Sequence, residues 1–241
     1  MKIRGKTDKG LVRPTNQDAF EVFALSADAV CAVVCDGMGG AKAGNVASSM
    51  AVETIAENIK GNYRENMNAD FIKTMLFTAI GIANIKVYEE GTGNPEYAGM
   101  GTTVVTVIVS GGAAYVAHVG DSRAYKLCSN GIRQLTTDHS MVQVLVERGE
   151  LTQSEAKSHP KKNLITRALG AESTVNVDYA EEPLADGESI LICTDGLSNP
   201  VEDAEILKIM NEEGFDTCVE KLISAAKEKG GNDNITAVVI S

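Results

Sequence analysis

The order of strand and helix patterns along the chain restricts the fold more than any other feature of this sequence. Short apolar runs typical of strands come first, at residues 20–25 and 30–35. Two long helical patterns then follow each other directly, over residues 44–60 and 70–89, before strands resume at Thr102. Because strands and helices occur in groups, the sequence predicts an α+β layered domain rather than βαβ units around a parallel sheet.

The second half of the chain adds a meander and a closing group of strands and helices. The turn pairs Gly111-Gly112 and Asn130-Gly131 lie between predicted strands, as is typical of antiparallel neighbours joined by short turns. Further strands are predicted at residues 102–109, 113–119, 123–127, 175–179, 189–193 and 235–240, and helices near 203–210 and 216–229.

A polar segment at residues 141–169 interrupts this pattern. It contains the capping box Thr152-Gln153-Ser154-Glu155 and the helix breaker Pro160, which indicate short helices rather than a core element. We therefore predict an inserted flap. No linker or low-complexity segment divides the chain, so residues 1–241 are predicted to form a single domain.

Composition excludes several classes of protein. The formal net charge of −11 disfavours DNA and RNA as ligands, because nucleic-acid binding requires clustered Lys and Arg. The 5 cysteines are scattered and show no CxxC spacing, which favours a reducing cytoplasm. The first ten residues are polar, and no segment is expected to approach the length of a membrane span. We expect a cytoplasmic protein, a monomer, without a membrane partner.

Aspartates stand at the ends of the predicted buried strands. Asp36, Asp121 and Asp195 each follow an apolar run, and Asp233 precedes the last one. Rigid strand ends can bring these side chains together. Gly37 and Gly196 directly follow two of the acids, and a glycine lets the backbone come close to a bound ion. The alternative, that Asp-Gly pairs are simply turns, has about equal weight for any one of them but less for four together.

A site built only from oxygen ligands suits hard cations. Mg²⁺ and Mn²⁺ prefer carboxylates and carbonyls, whereas Zn²⁺ and copper favour His and Cys. Crowded carboxylates repel one another unless cations neutralise them. Two ions roughly 3.5–4 Å apart can share a water, lower its pKa and hold a phosphoryl group for in-line attack. The aspartates therefore predict a metal site for phosphate chemistry.

Short motifs containing these aspartates cover nearly the whole chain. They are Arg13-Pro14-Thr15-Asn16-Gln17-Asp18, Asp36-Gly37-Met38-Gly39-Gly40, Gly101-Thr102-Thr103, Val119-Gly120-Asp121-Ser122-Arg123, Asp195-Gly196-Leu197 and Gly231-Asn232-Asp233-Asn234-Ile235-Thr236. In this order they resemble the motifs of the metal-dependent protein phosphatase 2C family. The compact length and the flap resemble bacterial members that oppose Ser/Thr kinases. The resemblance implies an α-β-β-α sandwich of two antiparallel sheets flanked by helix pairs, with the site at one edge.

The resemblance also implies a role for individual residues. Asp36, Asp195 and Asp233 would be direct ligands of two Mn²⁺ or Mg²⁺ ions, and the Gly37 carbonyl would complete one shell. Asp121 would join Asp195 at a third, weaker metal position; without the resemblance it would cap the following turn or pair with Arg123.

Two other residues would act on water and on the substrate. Asp18 would orient the water that the ions activate. Arg13 would grip the substrate phosphate, because a planar guanidinium makes two hydrogen bonds to phosphate oxygens.

The sequence departs from the family pattern at two positions. Gln17 stands where many members carry Glu, and Met38 stands where eukaryotic members often carry a His that is their proposed general acid. His118 and His139 lie near motifs and are expected to be structural, although His139 is the first candidate if another acid exists. His159 is expected to be exposed on the flap.

The sequence thus predicts a metal-dependent protein phosphatase acting on phosphoserine and phosphothreonine. Phosphorylated proteins are the expected substrates, and a Ser/Thr kinase is an expected partner. Two alternatives stay open: a regulator of one dedicated phosphoprotein, and a catalytically silent binding module that kept the fold. The intact set of aspartates disfavours the second alternative, because lost ligands would be its signature.

Overall fold

Two β-sheets and several helices make up the structure, a computed structural model that describes residues 1–40, 43–129 and 131–241. The strands are β1 Ile3–Asp8, β2 Asp18–Ser26, β3 Ala29–Met38, β4 Gly101–Thr102, β5 Val104–Ser110, β6 Ala113–Val119, β7 Arg123–Cys128, β8 Gly131–Gln134, β9 Asp178–Pro183, β10 Ser189–Cys193 and β11 Ile235–Ile240. The helices are α1 Ala43–Asn62, α2 Ala69–Gly93, α3 Met141–Glu147, α4 Gln153–Ser158, α5 Asp195–Ser198, α6 Asp203–Glu212 and α7 Cys218–Glu228, with a 3₁₀ turn at Pro95–Tyr97.

The two sheets are antiparallel and pack face to face. One has the strand order β1-β11-β10-β7-β8 and the other β2-β3-β5-β6-β9, with β4 paired to the end of β3. Alternation along β3 shows how one strand serves two cores: Val30, Ala32 and Val34 face the other sheet, whereas Cys31 and Val33 face the helices. This buried strand is therefore apolar at successive positions, as its sequence predicted.

Helices cover both outer faces of the sheet pair. Helices α1 and α2 pack on the β3 sheet, and α6 and α7 pack on the β11 sheet. This arrangement confirms the predicted α+β class and its α-β-β-α layers. The cysteines are free thiols in the described part of the chain, and Cys128 is the one of them that is not fully buried.

Helix α2 differs from the sequence-based expectation about membrane spans. By length and composition it could cross a membrane, with a mean hydropathy of 1.3 over an 18-residue window. The expectation that no segment approaches this length is therefore wrong. Leu76, Ile80 and Val87 are fully buried in the layer that α2 forms with α1 and the sheet, and a helix packed in a core passes the same test.

Several strands lie where the sequence did not place them. Strand β9 spans Asp178–Pro183 instead of residues 175–179, because it pairs along the whole of β6 despite its acidic residues. Strands β1 and β8 are edge strands with charged residues, and no apolar run in the sequence predicts them. The predicted strand 102–109 is divided between β4 and β5. The predicted turn residue Asn130 lies outside the described residues.

The segment predicted as a flap contains α3 and α4. Thr152 and Glu155 form the predicted capping box at the start of α4. At the base of the segment, the N–H of Met141 donates to the Leu164 carbonyl at 2.8 Å, and the N–H of Thr166 donates to the His139 carbonyl at 2.8 Å. The chain therefore leaves and re-enters the sandwich side by side.

Candidate active site

The aspartates predicted from strand ends lie around one cavity. A cavity of about 470 Å³ at the edge of the sandwich is lined by the carboxylate residues Asp36, Asp121, Asp195 and Asp233. Strand β3 carries Asp36 near its end, and β10 and β11, which are neighbours in the other sheet, present Asp195 and Asp233. Arg13, Gly37 and the flap residues Asn163 and Ile165 also line it.

Asp36 and Asp195 form the centre of this acidic group. Burial, followed by repulsion from Asp18 and Asp195, raises the pKa of Asp36 well above its ordinary value. Burial and the nearby Asp233 carboxylate raise the pKa of Asp195 to about 6. Crowding of this kind disfavours simultaneous ionisation and favours binding of a cation.

Asp18 is buried behind the cavity, where two threonine hydroxyls donate hydrogen bonds to its carboxylate. Its Oδ2 accepts hydrogen bonds from Thr194 Oγ1 at 2.9 Å and from Thr236 Oγ1 at 2.6 Å. Burial raises the pKa of Asp18 to about 7 despite these two bonds. The structure therefore holds this carboxyl group rigidly beside the other acids.

Asp121 lies between the main cavity and a second, smaller one. The smaller cavity, of about 160 Å³, separates the site from the flap helix α4, and Asp121 and Asp195 line both cavities. Burial and the Asp195 carboxylate raise the pKa of Asp121 to about 7. Arg123 pairs with Asp138 through Nε and Nη2, at 2.7–3.1 Å, rather than with Asp121. The alternative of an Asp121–Arg123 ion pair is therefore wrong.

Arg13 lies at the rim of the cavity, about half exposed. Its Nη2 donates to Asp233 Oδ2 at 2.8 Å, and this bond raises the pKa of the guanidinium. Asn234 holds the Arg13 segment in place, since its Nδ2 donates to the Thr15 carbonyl and its Oδ1 accepts from the Gln17 N–H, at 2.9 and 2.8 Å. The remaining N–H donors of a guanidinium at this position can bind an anion.

Two glycines of the predicted site are required by close backbone approach. A Cβ atom on Gly37 would lie 2.0 Å from the Gly44 carbonyl oxygen, and one on Gly196 would lie 1.9 Å from the Asn234 carbonyl oxygen. Both glycines therefore let two backbone segments pack closely beside the acids, and the approach to a bound ion stays a prediction.

His139 is not placed to act as an acid at this cavity. The ring is 7% exposed, its Nδ1 accepts a hydrogen bond from the Gly120 N–H at 3.0 Å, and its Nε2 faces Asp178 Oδ2 at 3.2 Å. His139 does not line this cavity, which agrees with the structural role expected for it. His118, which stacks on it with ring centroids 4.8 Å apart, is equally buried and structural. His159 lies on the flap at the end of α4.

The two buried histidines and Asp178 could in principle form another metal site, since their ligand atoms lie within 4.8 Å of one another. The guanidinium of Arg167 already lies against this group: its Nη1 is 2.6 Å from Asp178 Oδ1 and 3.0 Å from His139 Nε2. The Asp178 carboxylate is therefore already paired with a cationic side chain.

Comparison with known proteins decides the family. A family model described as protein phosphatase 2C matches residues 12–239. The chain belongs to the protein phosphatase 2C family. It is 37% identical to the serine/threonine phosphatase stp of Listeria welshimeri over 100% of this chain and 95% of that protein. The predicted family and enzyme class, a protein-serine/threonine phosphatase, are confirmed.

Solved structures of similar phosphatases share the fold. The S. agalactiae serine/threonine phosphatase superimposes with a TM-score of 0.92 at 36% identity, covering 99% of this chain and 98% of that one. The catalytic domain of the serine threonine protein phosphatase PstP, a structure in complex with 2 manganese ions, gives a TM-score of 0.84 at 32% identity, covering 99% and 96%.

The donor atoms of this phosphatase fit divalent cations. Among the described residues, the buried atoms Asp18 Oδ1 and Asp195 Oδ1 have no hydrogen-bond partner, although buried carboxylate oxygens are normally satisfied. The residues that line the cavity include four aspartates, whose carboxylate oxygens are donors that Mg²⁺ and Mn²⁺ prefer. Unsatisfied oxygens, raised pKa values and hard donors together indicate a site completed by cations.

Sequence reasoning missed the residues that support the phosphatase site. Thr194 and Thr236 bind Asp18, and the hydroxyl of Thr103 accepts from the Asp36 N–H at 2.9 Å and bonds Ser122 Oγ at 2.8 Å. Thr103 and Thr236 belong to the quoted motifs, and this was the one signal available for them.

Proposed function

We propose that this chain hydrolyses phosphoserine and phosphothreonine on other proteins by means of water activated at a binuclear metal centre. One observation carries the proposal: Asp36, on strand β3, and Asp195, just after strand β10 of the other sheet, line one cavity together with Arg13 and Asp233. Buried acids facing a cationic side chain at a cavity rim suit a phosphate monoester held between metal ions and a guanidinium.

The cavity lining and the family resemblance support a proposed set of metal ligands. Asp36, Asp195 and Asp233 would hold two Mn²⁺ or Mg²⁺ ions together with the Gly37 carbonyl, and Asp121 with Asp195 would hold a third. When bound, such ions lower the pKa of a water that they share and neutralise charge on the phosphoryl group.

The protein's own groups bind and orient the reactants. Asp18, fixed by two threonine hydroxyls, would accept a hydrogen bond from the attacking water and orient it. Arg13 would use the N–H donors that are not bonded to Asp233 to bind phosphate oxygens and align the ester for in-line displacement. The residues lining the described cavity include no histidine and no cysteine, so neither residue type supplies a covalent nucleophile there.

We further propose a cytoplasmic monomer that reverses the action of a Ser/Thr kinase, without nucleic-acid or membrane partners. The net charge of −11 supports the exclusion of nucleic acid. The alternative of a silent binding module is disfavoured by the complete set of converging acids at the cavity.

The test is metal-dependent release of phosphate from a phosphothreonine peptide. Protein dialysed against EDTA should be inactive and should regain activity with Mn²⁺, whereas Asp36→Asn and Asp233→Asn should stay inactive. Asp216→Asn is the matched control, because this exposed carboxylate pairs with Arg4 away from the site. Full activity of the EDTA-treated protein, or of either cavity variant, would refute the proposal.

A further inference from the structure

His139 holds both backbone polar groups of the glycine that precedes Asp121. The Gly120 N–H donates to His139 Nδ1 at 3.0 Å, and the His139 N–H donates to the Gly120 carbonyl at 2.9 Å. Gly120 has a φ of 108°, and a Cβ atom there would lie 2.6 Å from the Thr103 side chain. The backbone of this turn therefore has a conformation that favours glycine. One side of the turn is held by a single histidine.

The other side of the same turn is held by Thr103. Its hydroxyl bonds Ser122 Oγ at 2.8 Å and also accepts from the Asp36 N–H at 2.9 Å. Asp121 thus lies between two residues whose positions are fixed, Gly120 by His139 and Ser122 by Thr103. Asp121 and Asp195 line both cavities, so the two anchors hold the backbone on each side of a carboxylate that shares these cavities with Asp195.

The opposite end of His139 is bonded to the base of the flap. Its carbonyl accepts from the Thr166 N–H at 2.8 Å. Its Nε2 lies 3.2 Å from Asp178 Oδ2, and Arg167 Nη1 bonds the other oxygen of Asp178 at 2.6 Å. One buried residue therefore connects the Asp121 turn with the segment that leaves the flap.

The ring must be neutral for this arrangement. Nδ1 accepts from a backbone N–H, so the proton of the neutral ring is on Nε2, and Asp178 Oδ2 is its acceptor. Arg167 Nη1 is also 3.0 Å from Nε2, but its two N–H groups have acceptors in Asp178 Oδ1 and the Asn176 carbonyl. Burial, followed by the neighbouring His118, lowers the pKa of His139 and maintains this form.

We propose that His139 is a positioning residue that orients Asp121 for the metal position formed by Asp121 and Asp195, and that couples this position to the flap. The inference rests on the proposed function, since it requires Asp121 to be a metal ligand. His139 itself touches neither metal nor substrate.

Two substitutions separate the Nδ1 bond from the other contacts of the ring. In His139→Asn, the amide Oδ1 can take the place of Nδ1 as acceptor for the Gly120 N–H. In His139→Gln, the longer side chain reaches toward Asp178 but leaves that N–H without its acceptor. Stability measured by thermal unfolding controls for general damage, because both variants lose the imidazole stack with His118.

The readout is Mn²⁺ binding, followed by the electron paramagnetic resonance signal of the free ion. We expect His139→Gln to weaken the weakest class of Mn²⁺ site by roughly tenfold, the worth of about one buried hydrogen bond, and to leave the tighter sites unchanged. His139→Asn should stay within about twofold of the wild type. Equal weakening in both variants, or wild-type binding in His139→Gln, would overturn the inference.

A parallel variant distinguishes this failure from failure of the proposed function. Asp121→Asn should remove the weakest Mn²⁺ site and leave the tighter sites. If it leaves all sites intact, or if the wild type binds no Mn²⁺, the proposed ligand set is wrong and the inference falls with it.

The wild-type protein decides the coupling even if His139→Gln does not fold. Adding Mg²⁺ should slow amide hydrogen exchange in peptides covering residues 119–122 and residues 164–167 together. Slowing in the first without the second would show that the flap base is not coupled to the Asp121 position.

Discussion

The charge on Asp18 is expected to destabilise the metal-free protein at alkaline pH. Burial raises the pKa of Asp18 to about 7 from its ordinary value of 3.8. The stability that the protonated carboxyl group gives the folded protein is fully present below pH 3.8, declines as pH rises, and is lost above about pH 7. Since a tenfold change in an equilibrium constant is about 1.4 kcal/mol, the full penalty is about 4 kcal/mol, of which about 3 kcal/mol develops between pH 5 and pH 8.

The substitution Asp18→Asn removes this penalty while preserving the fold around it. An amide oxygen can still accept from Thr194 and Thr236, and no charge is buried. In EDTA, the free energy of unfolding of the variant relative to the wild type should therefore rise by about 3 kcal/mol from pH 5 to pH 8. For a chain of this size, this difference corresponds to a relative gain of roughly 6–12 °C in melting temperature.

Thermal unfolding of both proteins at each pH, followed by circular dichroism, measures the effect. Saturating Mn²⁺ should reverse the order at pH 8, because ligand binding stabilises the wild type and the variant loses a carboxylate beside the ions. Asp8→Asn is a control, and its effect on the free energy of unfolding should have the opposite sign. Burial alone would raise the pKa of Asp8, but hydrogen bonds from Lys227 and the Gly10 N–H lower it, so the charged form of Asp8 favours the folded state. Equal pH dependence of Asp18→Asn and wild type in EDTA would refute the reasoning.

Three further predictions concern the backbone, the leaving group and the flap. Gly196→Ala should destabilise the protein by about 2 kcal/mol or more in urea unfolding, because the new Cβ would lie 1.9 Å from a backbone oxygen. Gly81→Ala is the control: Gly81 lies in α2 with open space around it, so this variant should be more stable by up to about 1 kcal/mol. Met38 lines the cavity and cannot donate a proton. The wild-type kcat should therefore fall steeply as the pKa of the leaving group rises across a series of aryl phosphates, and less steeply in Met38→His. A flat dependence in the wild type, under conditions where chemistry limits the rate, would contradict this. Lys161→Ala/Lys162→Ala should lose more activity on phosphopeptides than on p-nitrophenyl phosphate, since both lysines are exposed on the flap; equal losses would contradict a role in substrate choice.

The positions of the acids could be predicted because each is adjacent to a continuous apolar run. Buried strands β3, β6, β10 and β11 are apolar at successive positions, so the point where the run stops also locates the strand end. Asp36, Asp195 and Asp233 stand at such points. Their convergence depends only on the strands ending at one edge, and family motifs indicated that edge.

The supporting residues could not be predicted because they depend on pairing between distant parts of the chain. The hydroxyl bonds to Asp18 join residues separated by 176 and 218 positions. Threonine is common in strands for reasons of packing alone, so Thr194 carried no distinguishing signal and Thr236 had only its place in a motif. Strand β9 was misplaced for a related reason, since register against β6 outweighs the acidic composition of its residues.

The two attachments of the flap differ in strength, and this difference bears on how the flap can act. Its base is joined to the sandwich by backbone hydrogen bonds and by buried His139. Farther along, the ion pair between Lys157 and Glu202 crosses the smaller cavity with side chains 65% and 60% exposed, and such exposed pairs contribute about 0–1 kcal/mol. The base should therefore stay fixed while α4 separates from Glu202. Because Asp121 and Asp195 line the cavity beneath α4, such a movement would change solvent access to these two carboxylates before it disturbed Asp36 or Asp18.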